Sequence, residues 1–209
     1  MYAHKLVRWE HGWQCEVCLC SWKLQPRKLC LGFPWRPIDQ RAAAIQWARE
    51  SLRRTDVVIL DTETTGLGGD AQIIELAVIA MNGSILLNTL MRPTVPIEPE
   101  ASRVHKITWE QLAQAPSLIA LESYLRKLFH NRTVLAYNAP FDRRLLAQTC
   151  AAQRIPRIVA RDWEDICAAY THFISPGGGK HTRLNGGHRA LDDCQAALRR
   201  IQKMAAADF

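Results

Sequence analysis

The pattern of apolar and polar residues predicts strands first and helices later along the main part of the chain. The apolar, mostly β-branched run from Val57 to Leu60 predicts a buried strand, and Gly66 marks the turn that follows it. Ile73 to Ala80 predicts a second strand, and the Asn82-Gly83 turn leads into a third, Ile85 to Met91. These segments together predict an antiparallel meander of three strands.

Helices and strands alternate in the second half of the chain. The predicted elements are a helix from Leu118 to Phe129, a strand from Thr133 to Tyr137, a helix from Phe141 to Gln153, a short helix near Trp163 to Tyr170, and a final helix from near His188 to about Met204. Pro93 to Pro99 is predicted to be a loop, and Ser175 to Gly187 either a flap over a substrate or a surface loop. This order indicates an α/β domain with a mixed sheet.

Residues 1–37 have a different composition and predict a small module rich in Cys and Trp. A C-x₂-C turn lets two thiolates reach one tetrahedral zinc ion, which makes a structural zinc site the leading hypothesis. The predicted ligands are Cys15, Cys18, Cys30 and either Cys20 or His11. Two alternatives stay open: a metal-free Trp/Cys core, and a surface whose Trp and Lys/Arg side chains bind a nucleic acid strand.

A predicted helix connects this module to the rest of the chain. Asp39, which follows Pro37, is the expected N-cap of a helix that extends to Arg54. The chain is thus divided into a Cys/Trp-rich basic module (residues 1–37), a connecting helix (38–54) and a main domain (55–209).

Composition narrows the classes of partner and compartment. The net charge is +7, and residues 1–54 hold ten Lys/Arg against four Asp/Glu, which favours a polyanionic partner. No segment has the apolar length of a membrane span, and the N-terminus lacks the apolar core of a signal peptide, so the cytoplasm is the expected location. Seven cysteines, an odd number, fit reduced thiols and metal ligation better than a disulfide framework.

Acidic residues at the end of the first main-domain strand are the first candidates for chemistry. Asp61 and Glu63 are two residues apart on a strand, so their side chains point to the same side. Adjacent carboxylates repel each other, and a divalent cation such as Mg²⁺ or Mn²⁺ relieves the repulsion. The alternative is a strand end whose acids face water.

Two later clusters extend this set. Asp142 lies in the first turn of a predicted helix, where an acid is also favourable simply because of the helix dipole. His188 and Asp193 lie five residues apart near the start of the final helix and could both reach one cleft, although such pairs are often surface features.

The three motifs that carry these residues, DTETTGL, NAPFD and HRALDD in this order, resemble the DEDDh family of 3′→5′ exonucleases, which includes the proofreading subunit of bacterial replicative polymerases. The resemblance covers roughly residues 55–205 and implies a ribonuclease H-like mixed sheet flanked by helices. It implies that Asp61, Glu63, Asp142 and Asp193 ligate two Mg²⁺ or Mn²⁺ ions and that His188 is the general base. Neighbours on a helix differ by ~100°, and the family spacing selects Asp193 over Asp192.

The resemblance also implies contacts with the substrate. The backbone around Thr62 and Thr64 would contact the terminal nucleotide, and Leu67 would wedge against its base. His105 lies in a weaker family signature, in which Lys106 stands where the family commonly has Gly. The expected substrate-binding residues are Thr62, Thr64, Leu67, His105 and Asn138.

The sequence therefore predicts an enzyme, a metal-dependent 3′→5′ exonuclease. It would hydrolyse nucleic acid, with single-stranded DNA as the expected substrate, to nucleoside 5′-monophosphates by a two-metal mechanism. One alternative is an RNA-trimming exonuclease of the same fold, because the sequence does not separate the two sugars. Another is a nucleic-acid-binding or adaptor protein with a vestigial nuclease domain, docking a protein partner through its N-terminal module. All five catalytic positions are filled, which favours the enzyme.

Overall fold

A computed structural model describes residues 39–176 and 182–209 in full, together with the backbone of three short strands before them. These strands are β1 (Leu6–Trp9), β2 (Gly12–Cys15) and β3 (Ser21–Trp22), and they form an antiparallel sheet in that order. The side chains of all five predicted zinc ligands (Cys15, Cys18, Cys20, Cys30 and His11) lie outside the described residues, so the zinc site stays a prediction.

A mixed sheet of five strands forms the centre of the main domain. The strands are β4 (Val57–Thr64), β5 (Ile73–Ala80), β6 (Ile85–Leu90), β7 (Thr133–Ala136) and β8 (Asp162–Asp165), in the spatial order β6-β5-β4-β7-β8. The first three are antiparallel, and β7 and β8 extend the sheet in parallel from β4. The predicted meander and mixed α/β sheet are confirmed.

Helices cover both faces of this sheet. They are α1 (Gln40–Arg53), α2 (Pro99–His105), α3 (Trp109–Ala113), α4 (Leu118–Phe129), α5 (Ala139–Ala152), α6 (Ile166–Ile174) and α7 (Ala190–Ala205). Val57 and Ile59 face a core formed with α1, α6 and α7, whereas Val58 and Leu60 face a core formed with α4 and α5. The continuous apolar run of β4 follows from this burial on both faces.

Helix α1 is built into the first of these cores. Asp39 caps it, as predicted, by accepting hydrogen bonds from the backbone N–H groups of Arg41 and Ala42 at 3.0 and 3.1 Å. Ala44 and Ala48 are buried against α6 and α7. The segment expected to connect two parts of the chain therefore also covers one face of the sheet.

The structure corrects the predicted elements at two places. Trp163 lies in strand β8 and not in a helix, because its backbone pairs with Val134 and the helix starts only after Asp165, which caps α6. The short helices α2 and α3 were not predicted, although Pro99 begins the first and a Thr108–Gln111 capping box begins the second. No helix in the described part of the chain combines the length and apolar character that a membrane span requires.

Candidate active site

Carboxylates from a strand and a helix converge at one edge of the sheet. Asp61 and Glu63 lie on the face of β4 that is covered by α7, and Asp193 lies in the first turn of α7. One oxygen of each carboxylate lies within 4.8 Å of the others. Strand alternation places the first two side chains together, and the packing of α7 on that face supplies the third.

Asp142, the fourth predicted ligand, lies outside this group of three and approaches β4 from the other face of the sheet. Thr62, between the two acids on β4, points toward α5, and its Oγ1 donates a 2.7 Å hydrogen bond to Oδ1 of the buried Asp142. The charge of Asp142 raises the pKa of Asp61 more than that of any other neighbouring acid does. The strand thus joins acids on both of its faces into one electrostatic site.

The charged forms of these acids are disfavoured. Burial, followed by the charges of Asp142, Asp193 and Glu63, raises the pKa of Asp61 well above its usual range. Burial is also the largest cause that raises the pKa of Glu63 to about 8, that of Asp142 to about 7, and that of Asp193 above its ordinary value. The protein places few compensating cations here, and this is the environment that divalent cations relieve.

One unsatisfied atom gives a more specific test of metal binding. Oδ1 of Asp193 is buried and has no hydrogen-bond partner among the described residues. Buried carboxylate oxygens are normally hydrogen-bonded or coordinate a cation, and Asp193 belongs to the group of three carboxylates that each place one oxygen within 4.8 Å of the others. The donor set, all carboxylate oxygen, is that of a hard cation such as Mg²⁺ or Mn²⁺, so the residues present fit these ions.

An ion pair between a buried glutamate and a half-exposed arginine lies beside the cluster and was missed by the sequence reasoning. Glu75 on β5 stands in register with Glu63. Both of its oxygens accept hydrogen bonds from the guanidinium of Arg189, at 2.6 to 3.1 Å, and Oε2 also accepts the backbone N–H of Ala190 at 3.0 Å. This pair fixes the first residue of α7, and thereby the helix that carries Asp193.

His188 precedes this ion pair, where the chain enters α7. It is exposed and has a left-handed backbone with φ of 54°. Its charge is the second-largest effect on the pKa of Asp193, and lowers it, which places the imidazole near that acid. A Cβ at Gly186 would lie 1.3 Å from Oδ1 of Asp193, so a larger residue there would displace this carboxylate. Asp192 is exposed and turned away, as predicted.

A cavity of about 360 Å³ opens next to the carboxylates. Its lining includes Thr62, Glu63, Thr64, Leu67, Val104, His105 and Phe141. Leu67 is 73% exposed and is the most prominent apolar side chain at this edge. We call this cavity the terminal pocket. It contains four of the five predicted substrate-binding residues, and Val104 and Phe141 are members that the sequence reasoning missed.

The predicted substrate-binding residues differ in whether their polar groups are already hydrogen-bonded within the protein. The hydroxyl of Thr62 is bonded to Asp142, and that of Thr64 donates to the Gly66 carbonyl at 2.7 Å, so both threonine side chains hold the site together. Asn138 lies outside the terminal pocket; it is the left-handed N-cap of α5, and its N–H donates to Asp165.

His105 lies in the wall of the terminal pocket. It is 3% exposed, its Nδ1 accepts the Ile107 N–H at 3.0 Å, and its Nε2 is buried. Burial lowers the pKa of this histidine, and a hydrogen bond with the Thr64 backbone opposes that shift. The following residue, Lys106, has φ of 60°, which explains why glycine is common there in the family.

The fold and the acidic edge define a hydrolase of the ribonuclease H-like class, and comparison with known proteins identifies the family. Residues 58–200 match the family model described as RNase_T, Exonuclease. The chain belongs to this exonuclease family.

Relatives agree with this assignment. The chain is 42% identical over 195 residues to an uncharacterized exonuclease, CP81, of Escherichia phage 186, and this covers 80% of the chain and 94% of the relative. It is 37% identical over 148 residues to exodeoxyribonuclease 10 of Escherichia coli K12, covering 65% of the chain but 62% of that enzyme.

Solved structures share the fold. One is described as Exonuclease X in complex with 5′ overhanging duplex DNA; it is 28% identical, has a TM-score of 0.52, and the match covers 73% of this chain and 94% of that one. A 3′-exonuclease that recognises a histone mRNA stem-loop has a TM-score of 0.60 at 17% identity, covering 71% and 63%, which is a likeness of fold alone. The prediction that the chain is an exonuclease, a phosphodiester hydrolase, is confirmed.

Proposed function

We propose that the chain is a metal-dependent exonuclease that removes nucleoside 5′-monophosphates from the 3′ end of single-stranded DNA. The observation that carries this proposal is the convergence of Asp61, Glu63 and Asp193 within 4.8 Å beside a terminal pocket of about 360 Å³. A pocket near the lower end of the common range for small ligands, about 300–1,000 Å³, suits a single nucleotide better than a longer segment.

The carboxylates would act as ligands. Two Mg²⁺ or Mn²⁺ ions held by Asp61, Glu63, Asp142 and Asp193 would supply the positive charge that stabilises the attacking and leaving oxygens together. Thr62 fixes the orientation of Asp142, and the Glu75–Arg189 pair fixes the helix that carries Asp193. The geometry of the ligands is thereby set by groups that do not themselves bind the cation.

His188 would act as the general base. An imidazole titrates near neutral pH, so its neutral form can accept the proton of the attacking water. Its exposed position leaves it accessible to that water, and it lies near Asp193, one of the proposed ligands.

The terminal pocket would hold the 3′-terminal nucleotide. Leu67 and Phe141 offer apolar surface to the base. His105, buried in the wall of the pocket, would help to shape the site for the sugar.

Labelled oligonucleotides test the proposal directly. We expect 5′-labelled single-stranded DNA to give a ladder that shortens from the 3′ end with Mg²⁺ or Mn²⁺, and no products with EDTA or with His188→Ala. His172→Ala, which changes an exposed histidine near the end of α6, is the matched control and should cleave normally. An RNA strand of the same sequence tests the sugar preference. A ladder that shortens from the 5′ end, or equal activity in EDTA, would contradict the proposal.

The N-terminal module remains a separate hypothesis. We infer that residues 1–37 bind one structural zinc ion and provide a surface for a protein partner, because a segment this short has difficulty burying a core without metal or docking. Elemental analysis of protein never exposed to chelator should find about one zinc per chain for a single four-ligand site. Protein that contains none would contradict the zinc site.

A further inference from the structure

We propose that a groove along the outer face of α5 binds the sugar-phosphate backbone of the cleaved strand beyond its terminal nucleotide. The inference rests on the proposed exonuclease function and assigns a second binding surface to it. The groove has a volume of about 710 Å³, and the lining residues that matter here are Arg143, Arg144, Ala147, Arg157, Trp163 and Asp165. We call it the α5 groove.

Two cations of the α5 groove are free to bind an anion. Arg143 and Arg157 are exposed, and no acidic side chain in the described part of the chain lies within ion-pair distance of either guanidinium. Guanidinium groups match phosphate through paired N–H donors. This surface therefore suits a polyanionic ligand.

The acid in the lining does not neutralise these arginines. Oδ1 of Asp165 accepts the backbone N–H groups of Cys167 at 2.8 Å, Asn138 at 3.2 Å and Ala168 at 3.3 Å. Its carboxylate is thus directed at the start of α6, where it also offsets the helix dipole. The groove keeps an excess of positive charge.

The floor of the groove is apolar. The half-buried indole of Trp163 forms part of it. The rest is lined by small and aliphatic side chains of α5 and the following segment, namely Ala139, Ala147, Ala151 and Ile155. Cationic rims around an aromatic and aliphatic floor are the arrangement by which proteins bind single strands without reading sequence.

The α5 groove adjoins the terminal pocket. The guanidinium carbon of Arg144 lies 5.2 Å from the centroid of the Phe141 ring; Phe141 lines the terminal pocket and Arg144 lines the groove. Arg144 also donates to the Gly68 carbonyl at 3.3 Å, which ties α5 to the loop after β4. A strand whose last nucleotide occupies the terminal pocket can therefore continue into the groove past this stacked pair.

The test removes the two free cations in the double variant Arg143→Ala/Arg157→Ala. Its matched control is Arg199→Ala/Lys203→Ala, which removes two exposed cations of α7 on the opposite side of the sheet. Two substrates are compared: a long single-stranded oligothymidylate, and the p-nitrophenyl ester of thymidine 5′-monophosphate, which can fill only the terminal pocket.

We expect the groove variant to raise KM for the long strand about tenfold while kcat for the nitrophenyl ester stays unchanged. The slope of log KM against log salt should fall by about 1.4, since each phosphate contact on a single strand contributes about 0.7. Arg143→Lys/Arg157→Lys, which keeps the charge, should recover most of the salt slope. The α7 control should behave as the wild type with both substrates.

Two outcomes would contradict strand binding by the α5 groove and leave the proposed function intact, provided that the nitrophenyl ester is hydrolysed normally. One is an unchanged KM of the groove variant for the long strand. The other is an equal rise of KM in the α7 control. If the wild type hydrolyses neither substrate, the proposed function fails. In that case fluorescence anisotropy of a labelled oligothymidylate in EDTA tests whether the α5 groove binds the strand. Loss of binding in the groove variant alone would support the proposal, and equal binding by the variant and the wild type would contradict it.

Discussion

Two glutamates that face each other across neighbouring strands differ in whether the protein compensates their charge. Glu63 on β4 and Glu75 on β5 are register partners; Glu75 is buried and Glu63 is half-buried. Glu75 receives the guanidinium of Arg189 and a backbone N–H, whereas the pKa of Glu63 is raised to about 8 by burial and by the charges of Asp193 and Glu75.

The difference separates support from function. A carboxylate that the protein neutralises with its own cation holds two elements together, here β5 and the start of α7. A carboxylate left without compensation raises the free energy of the folded chain, and a divalent cation removes this cost when it binds. Changing the uncompensated site should therefore lower activity without lowering stability. Changing the compensated site should mainly lower stability.

The largest effect is expected at the uncompensated site. Asp61→Ala or Glu63→Gln should lower kcat about a thousandfold, since several kcal/mol of charge stabilisation depends on the bound cations. Neither variant should lower the melting temperature of the metal-free protein, because each removes repulsion from the cluster. Cleavage assays and thermal unfolding in EDTA measure both. Asp192→Asn is the control and should retain activity; wild-type activity in Asp61→Ala would refute the assignment of the ligands.

Breaking the compensated site should mainly affect stability. Arg189→Met leaves the buried carboxylate of Glu75 without its cation, and leaving a buried acceptor unpaired costs about 1–3 kcal/mol. Chemical denaturation measures this change. The double variant Glu75→Gln/Arg189→Met should recover part of the loss, since no unpaired charge is then buried. A single variant as stable as the wild type would show that this pair does not anchor α7.

The pH dependence of stability separates the two sites further. Ionisation of Glu63 and Asp142 occurs at about pH 8 and 7 in the folded chain, above their ordinary values of 4.5 and 3.8. The folded state therefore binds more protons than the unfolded state between about pH 4 and 8, and stability falls as pH rises through this window.

Thermal unfolding in EDTA across this range measures the fall. Glu63→Gln should flatten the curve, and excess Mg²⁺ should flatten it more, because the metal favours the ionised carboxylates. Glu50→Gln, at an exposed acid of α1 away from the cluster, is the matched control and should leave the slope unchanged. A metal-free protein that gains stability between pH 5 and 8 would contradict the raised pKa values.

The smallest effect is expected away from both glutamates, at Lys106. Its left-handed backbone costs about 1–2 kcal/mol in a residue with a Cβ, and the greater chain entropy of glycine offsets about 0.5–1 kcal/mol of the gain. Lys106→Gly should thus raise stability by a few tenths to about 1 kcal/mol without changing kcat. Lys106→Ala, which keeps the strain, serves as the comparison. Equal stability of the two variants would exclude backbone strain as the reason for glycine in the family.

Much of the site could be read from local sequence. Asp61 and Glu63 share a face because a strand has a period of two, and the cap of α1 followed from Asp39. The Glu75–Arg189 pair could not be found in this way. Its members are far apart in the sequence, and a Glu inside an apolar strand gives no local sign of which cation will reach it.

The elements that were missed were also those with the weakest local signal. Strand β8 contains acidic residues and a tryptophan, and this composition is not typical of a buried strand. The strand forms because its backbone pairs with β7. Phe141 was predicted to start a helix, and its place in the terminal pocket depends on how α5 lies against the loop after β4.

The sequence by itself determined the strand order of the meander, the family and the candidate ligands, because these depend on short-range periodicity and on motifs of a few residues each. The tertiary structure alone decided which acids remain uncompensated, which one Arg189 neutralises, and that the terminal pocket adjoins the α5 groove. These properties depend on burial and on charges brought together from distant parts of the chain, and the strength of both is set by packing.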